Sequence, residues 1–241
     1  MTFEFKNLST GDTSPTLSLP PTWEPMHSLD GAFSETQYIY QPTVELAFTH
    51  CPSPGFLSLG LGLGYNEVLI ACESLVQKKQ PALVRSFELV PELRDFFKAW
   101  IQRDSSPLNP VYDQIANLYA HKYQLSETEI LEQLKNFLAK GILNIEGPIN
   151  LQTDLSLTNG ILFDAFCAKT SPELWTAEFL HNFFKRTAGS PCYMSTYACT
   201  GELRRSLTAA GFTVEKRKGF ASKRDSTTAK KSERCADLFG P

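Results

Sequence analysis

The chain has 241 residues and 42% apolar content, enough for one large α/β domain or two small ones with a full core. No apolar run approaches the ~20 residues of a membrane span, and the opening Met1-Thr2-Phe3-Glu4-Phe5-Lys6 lacks the apolar stretch of a signal peptide. Net charge is −3 but uneven: residues 201–241 hold ten Lys or Arg against five Asp or Glu, so the rest of the chain carries −8.

A basic surplus of that kind fits a patch for a polyanion or a solvated tail. Six cysteines (Cys51, Cys72, Cys167, Cys192, Cys199 and Cys235) are scattered without a CxxC pair. That argues against a zinc site and a disulfide framework, and a reducing cytoplasm is the simplest compartment. His27, His50, His121 and His181 have no metal-ligand spacing, so no metal is expected.

In chain order, residues 7–30 are rich in Ser, Thr and Pro and read as an irregular arm or lid. Residues 37–40 form a short strand-like or helix-start segment, and 44–48 a helix. Residues 1–50 are therefore an expected arm or lid, and 51–241 the main domain, with a helical insertion near 107–141. Residues 56–59 are the first core strand, running into Gly60-Leu61-Gly62-Leu63-Gly64. A helix follows over 66–77, with Val68, Leu69, Ala71, Cys72 and Leu75 inward. Pro81 breaks it. Residues 82–87 form the second strand, ending at Glu88, and Pro91 takes the first turn of a helix through 101.

A helix is expected over 111–123. Ser126-Glu127-Thr128-Glu129 is a capping-box signature; it opens a helix through 140, closed by Gly141. Strands follow at 142–145 and 161–163, then a helix over 172–186 with Ser171 as its cap. A fifth strand spans 191–197, a helix 201–210, a strand 212–217, and a short strand lies near 226–228. This alternation predicts an α/β fold with a mostly parallel sheet flanked by helices.

Four constellations carry chemistry. Glycines after a strand turn tightly and let a ligand approach backbone amides; the alternative is a tight turn with no ligand. Glu88, at the end of the next strand, is placed to accept ribose hydroxyls, or is an ordinary exposed glutamate. Asp164 ends the apolar run Gly160-Ile161-Leu162-Phe163 at the carboxyl edge of the sheet, where ligands of open α/β sheets bind. Phe166 and Trp175 nearby are either a stacking platform for a base or core. Finally, Tyr197, Arg204, Arg205, Lys218, Phe220, Lys223 and Arg224 interleave basic and aromatic groups. Such groups suit phosphates and unstacked bases, or form a solvated face.

The chain resembles the tRNA 5-methylaminomethyl-2-thiouridine methyltransferase family, the MnmC/MnmD type. The marks are Ser-Leu-Asp-Gly-Ala-Phe-Ser-Glu-Thr (28–36), the loop 57–66, Phe-Glu (87–88), Asp-Ala-Phe with Ser-Pro-Glu-Leu-Trp (164–175), Ser-Thr-Tyr (195–197), Gly-Glu-Leu-Arg-Arg-Ser-Leu (201–207), Ala-Gly-Phe (210–212) and Lys-Gly-Phe-Ala-Ser-Lys-Arg (218–224). They cover most of the chain, and no second glycine-rich fingerprint follows, as in a stand-alone methyltransferase. Two places depart from the pattern: Ala168 stands where proline is usual, and Gly147-Pro148 where Gly-Asp is usual, with Asp154 the nearest acid.

The resemblance implies a Rossmann-like fold dependent on S-adenosyl-L-methionine (AdoMet). It implies N-methylation of the aminomethyl group on the modified wobble uridine of tRNA, with the anticodon loop as partner and a separate enzyme supplying the aminomethyl substrate. It further implies Asp164 as the catalytic residue. Gly60, Gly62, Gly64, Asn66, Glu88 and Asp164 would hold the cofactor. Glu35, Trp175, Tyr197, Arg204, Arg205, Lys218, Phe220, Lys223 and Arg224 would meet the RNA. Two alternatives stay open: a methyltransferase of another amine, and a non-catalytic RNA-binding relative.

Overall fold

A computed structural model describes residues 3–222 and 225–232. Two antiparallel strands come first, β1 (Lys6–Ser9) and β2 (Pro15–Ser18). Polar residues read as an irregular arm are turn chemistry here: the Asp12 carboxylate accepts from Thr10 Oγ1, Ser14 N and Ser14 Oγ within the turn, and from Ser34 N. Against desolvation by burial, hydrogen bonds from Ser14, Ser34 and Thr10 lower its pKa to about 2. The Ser34 bond reaches the first turn of helix α1 (Ala32–Ile39), so the hairpin satisfies an otherwise open helix end. Residues 37–39 thus close a helix, and neither form a strand nor start a helix. Tyr40 alone separates α1 from α2 (Gln41–His50).

Among the described residues the main sheet has seven strands. In chain order these are β3 (Gly55–Leu59), β4 (Leu83–Phe87), β5 (Leu143–Glu146), β6 (Thr158–Phe163), β7 (Ala188–Thr196), β8 (Thr213–Lys218) and β9 (Asp225–Lys231). They lie in the order β5-β4-β3-β6-β7-β9-β8. The first five run parallel, and β9 inserts antiparallel between β7 and β8. The chain winds outward from β3 in one direction and from β6 in the other. Their shared carboxyl edge is therefore the topological switch point of the sheet.

Helices cover both faces. Helices α3 (Tyr65–Gln77), α5 (Asn109–Tyr123) and α6 (Glu127–Ala139) pack with α2 on Phe56, Val84 and Leu162. On the other face, α7 (Ala177–Thr187) and α8 (Gly201–Ala209) bury Leu57, Leu59, Ile161, Phe163 and Met194. Helix α4 (Pro91–Gln102) contributes Leu93, Phe97 and Trp100 to the first cluster. The capping box forms as expected, with Glu129 N donating to Ser126 Oγ and Ser126 N to Glu129 Oε2; such a cap contributes about 1 kcal/mol.

Several boundaries differ from the sequence reading: β6 begins at Thr158 and not at 161, and β7 at Ala188 and not at 191. The helix expected over 172–186 divides into a 3-10 turn, Pro172–Trp175, and α7. Ser171 makes no side-chain cap; Thr176 caps α7 by accepting from Phe179 N at 3.1 Å. The short strand expected near 226–228 extends over all of β9. No helix among the described residues is long and apolar enough to cross a membrane.

Candidate active site

Strands β3 and β6 are hydrogen-bonded neighbours with Leu59 opposite Phe163. One residue further, Asp164 N donates to Leu59 O at 2.9 Å, and Gly60 turns away with φ +91°. A Cβ on Gly60 would lie 2.5 Å from the Asp164 carbonyl oxygen, so the two strand exits pass this closely only with glycine. Gly60 N and Leu61 N both donate to Phe87 O, which ties the loop to β4.

Strand alternation aims the aspartate. Ile161 and Phe163 face the α7–α8 layer and Leu162 the opposite one. Asp164 continues the Leu162 side, toward α1–α3. There Tyr40 Oη donates to Asp164 Oδ1 at 2.6 Å, and Asn66 Nδ2 donates to Oδ2 at 3.2 Å. Tyr40 is fully buried, and burial together with the Asp164 charge pushes its phenol pKa well above the usual value. Tyr197, just past β7, donates its hydroxyl to Ala165 O at 2.8 Å. Its pKa is also raised, by burial first and then by Asp164.

Glu88 follows β4 and is only 7% exposed. Its Oε2 accepts from Gly62 N and its Oε1 from Val90 N, each at 2.9 Å. Burial raises its pKa against those amide bonds. Between Glu88 and Asp164 opens a cavity of about 630 Å³, within the range of small-molecule sites, ~300–1,000 Å³. Its floor is Leu59, Gly60, Gly62 and Phe87. Pro148 and Ile149 form one wall, Ala165, Phe166, Cys167 and Leu174 another, and Glu24 through Asp30 a third.

Residues 126–232 match the Methyltransf_30 family, described as S-adenosyl-L-methionine-dependent methyltransferase. The tRNA 5-methylaminomethyl-2-thiouridine biosynthesis bifunctional protein MnmC of Aeromonas hydrophila is 27% identical over 223 residues, 86% of this chain and 32% of that protein. The protein of the same name from Psychrobacter is 29% identical over 151 residues, 59% of this chain and 20% of that one. This chain thus spans a third or less of the relatives it matches. The crystal structure of MNMC2 from Aquifex aeolicus has the same fold, with a TM-score of 0.65 at 24% identity over 97% of this chain and 72% of that one. The chain is thus similar to AdoMet-dependent methyltransferases of the MnmC type.

The cavity fits AdoMet, the cofactor of the matched family. Gly62 has φ +51°, and a Cβ there would meet only Met26 Sδ at 3.8 Å, so the backbone is bare toward the cavity. Glu88 places a buried carboxylate on the same wall. Of the residues expected from the sequence, Glu35, Gly60, Gly62, Glu88, Asp164 and Tyr197 line the cavity together.

The others are placed differently. Gly64 is the left-handed residue before α3, and a Cβ on it would fall 2.3 Å from Phe97 Cε2; it serves packing and does not line the cavity. Asn66 also stands behind the wall and reaches the site through Asp164. Trp175 donates its indole N–H to Phe166 O at 2.7 Å and meets Phe163 edge-on, which braces the 164–175 loop. Asp154 does not line the cavity; its carbonyl accepts from Arg85 Nη1. Arg204 and Arg205 are exposed on α8, the latter paired with Glu202. Lys218 is exposed, and Phe220 lies against Tyr38, whose ring also carries the Arg217 guanidinium. Lys223 and Arg224 lie outside the described residues.

Sequence reasoning missed Tyr40 and the wall from Glu24 to Asp30. Asp30 Oδ2 accepts from Ser222 Oγ at 3.0 Å, and Thr170 Oγ1 donates to Glu24 Oε2 at 3.4 Å. These contacts join segments about 150 to 190 residues apart, and only their polar, turn-forming composition is visible locally.

Proposed function

We propose that this domain methylates the primary amine of the aminomethyl group on the wobble uridine of tRNA, giving 5-methylaminomethyl-2-thiouridine from 5-aminomethyl-2-thiouridine. The observation that carries this reading is the charge of the site. Glu24, Asp30, Glu35, Glu88, Asp164 and Glu173 line the cavity, and no Lys or Arg does among the described residues. Such a lining favours a cationic amine through Coulomb attraction.

AdoMet supplies an electrophilic methyl group. Glu88 would accept its ribose hydroxyls, and Gly60 and Gly62 would bring bare backbone against the methionine part. Asp164 accepts a hydrogen bond from the substrate amine, orients its lone pair and helps remove the proton lost when nitrogen gains the methyl. Positioning of this kind lowers barriers by several kcal/mol, up to about 7–11. Tyr197 at the cavity wall and Arg204, Arg205, Lys218 and Phe220 outside it, together with Lys223 and Arg224, which lie outside the described residues, would receive the anticodon loop, whose bases splay out at lower cost than duplex bases. Glu35 belongs to the substrate wall, Trp175 to the loop beside it, and the 24–30 segment to the lid. A separate cytoplasmic enzyme would supply the aminomethyl nucleoside.

The test is methyl transfer from labelled AdoMet to tRNA that lacks only the final methyl. Label recovered in 5-methylaminomethyl-2-thiouridine supports the reading. Label on a small amine but none on the RNA makes the domain a methyltransferase of another substrate. AdoMet binding without any transfer overturns the catalytic assignment.

A further inference from the structure

Asp164 faces a concentration of negative charge. Glu35 of α1, Glu88 after β4, and Glu24, Asp30 and Glu173 in the flanking loops line the same cavity, with His27, Cys167 and Tyr197 the other titratable groups of its lining and Tyr40 bonded to Asp164. Like charges sharing a cavity raise a carboxylate's affinity for a proton. A protonated Asp164 has lost most of its capacity to accept from an amine. Something must hold it ionised if it is to serve in the reaction proposed above, on which this inference rests.

We propose that Tyr40 and Asn66 are positioning residues that keep the Asp164 carboxylate ionised and fixed in plane for the substrate amine. Each donates to a different oxygen: Tyr40 Oη to Oδ1 at 2.6 Å, Asn66 Nδ2 to Oδ2 at 3.2 Å. The first distance is that of a charge-assisted O–H···O⁻ bond, about 2.5–2.7 Å. Two donors on two oxygens fix the rotation about the carboxyl axis. Hydrogen bonds to the charged form also stabilise that form, opposing the surrounding glutamates.

Neither donor is adventitious. Tyr40 is 2% exposed and Asn66 2%. Tyr40 occupies the one-residue junction between α1 and α2. Asn66 is the second residue of α3, set by the left-handed turn at Gly64. The glycine loop thus has two tasks: Gly60 and Gly62 leave the backbone bare toward the cavity, while Gly64 delivers Asn66 to the catalytic carboxylate.

The test uses the full chain with aspartate carboxyls labelled with ¹³C and the Asp164 resonance assigned from Asp164→Asn. Tyr40→Phe deletes one oxygen. It is expected to raise the Asp164 titration midpoint by about one pH unit or more. The acid limb of kcat/KM on the substrate tRNA should move up equally, kcat should fall about tenfold, and AdoMet affinity should stay within about twofold. Tyr38→Phe, two residues earlier in α1 and donating to Lys218 O, should leave the midpoint where it is. A folded Tyr40→Phe with unmoved midpoint and limb overturns the proposal. Should that variant not fold, Asn66→Ala tests the other oxygen by the same titration, with the same direction expected and an unmoved midpoint again decisive. If wild-type protein turns over no tRNA, the proposed function fails, while the titration still decides the role of Tyr40.

Discussion

Gly62 and Glu88 are joined across the glycine loop: the Gly62 amide donates to Glu88 Oε2 at 2.9 Å, while Oε1 holds Val90 N at the same distance. The carboxylate at the end of β4 therefore organises the loop after β3 before any ligand arrives. Glu88→Ala should weaken AdoMet binding at least tenfold by calorimetry. It should also lower thermal stability, because each buried amide left unpaired costs about 1–3 kcal/mol. Glu88→Gln keeps one carbonyl acceptor and should lose affinity with a smaller loss of stability. Unchanged affinity in a folded Glu88→Ala protein would remove Glu88 from the ribose site.

Asp164→Ala separates chemistry from binding. Turnover should disappear, while AdoMet affinity stays nearly intact because Glu88, Gly60 and Gly62 are untouched. The variant leaves the buried Tyr40 hydroxyl and Asn66 amide without their acceptor, so a modest loss of stability is expected as well. Asp164→Asn preserves shape and isolates the charge. Activity surviving within a fewfold in either variant makes Asp164 a structural residue.

The elements that the sequence revealed are those whose causes are local. The capping box at Ser126 and Glu129 and the proline at the start of α4 each act within one helical turn. The alternation from Gly160 to Asp164 likewise needs only the pleat of one strand. Tyr40 was hidden because its partner is 124 residues away and nothing near it distinguishes an aspartate-binding tyrosine from a core one. The β1–β2 hairpin was hidden because its pairing depends on Asp12 and on α1 more than on apolar alternation. Trp175 reads from the sequence as either a stacking platform or core; its indole N–H and its ring are committed to Phe166 O and Phe163.

Two glycines with similar dihedral angles should respond unequally to alanine. Gly141 has φ +66° and nothing within 4 Å of an added Cβ, so Gly141→Ala should cost only the left-handed penalty, about 1–2 kcal/mol. Gly60 has φ +91°, and its Cβ would meet the Asp164 carbonyl at 2.5 Å, a backbone atom that cannot rotate aside. Gly60→Ala should force apart the exits of β3 and β6, costing more stability than Gly141→Ala and abolishing AdoMet binding with it. Denaturant titration of both variants measures the difference. Equal costs, with cofactor affinity preserved, would show that the close approach of the two strand exits is dispensable.

Beneath the site, Glu67 of α3 is buried against the paired serines of β3 and β4, with Ser86 Oγ donating to Oε1 at 2.6 Å. Burial raises its pKa from 4.5 to about 7, against the opposing hydrogen bond of Ser86. A carboxyl raised on folding binds its proton more tightly in the native state. Its contribution is therefore fully present below pH 4.5 and is lost as pH rises to about 7. Over that window the loss is on the order of 3 kcal/mol. Glu67→Gln keeps the shape and an acceptor for Ser86 but cannot ionise. Urea unfolding at pH 5, 6, 7 and 8 should show wild-type stability falling relative to the variant, with the gap widening toward pH 7 and then levelling. Glu73 and Glu88 are also raised by burial, but they are common to both proteins and cancel in the difference. A gap that does not change with pH would mean that Glu67 does not gain its proton on folding.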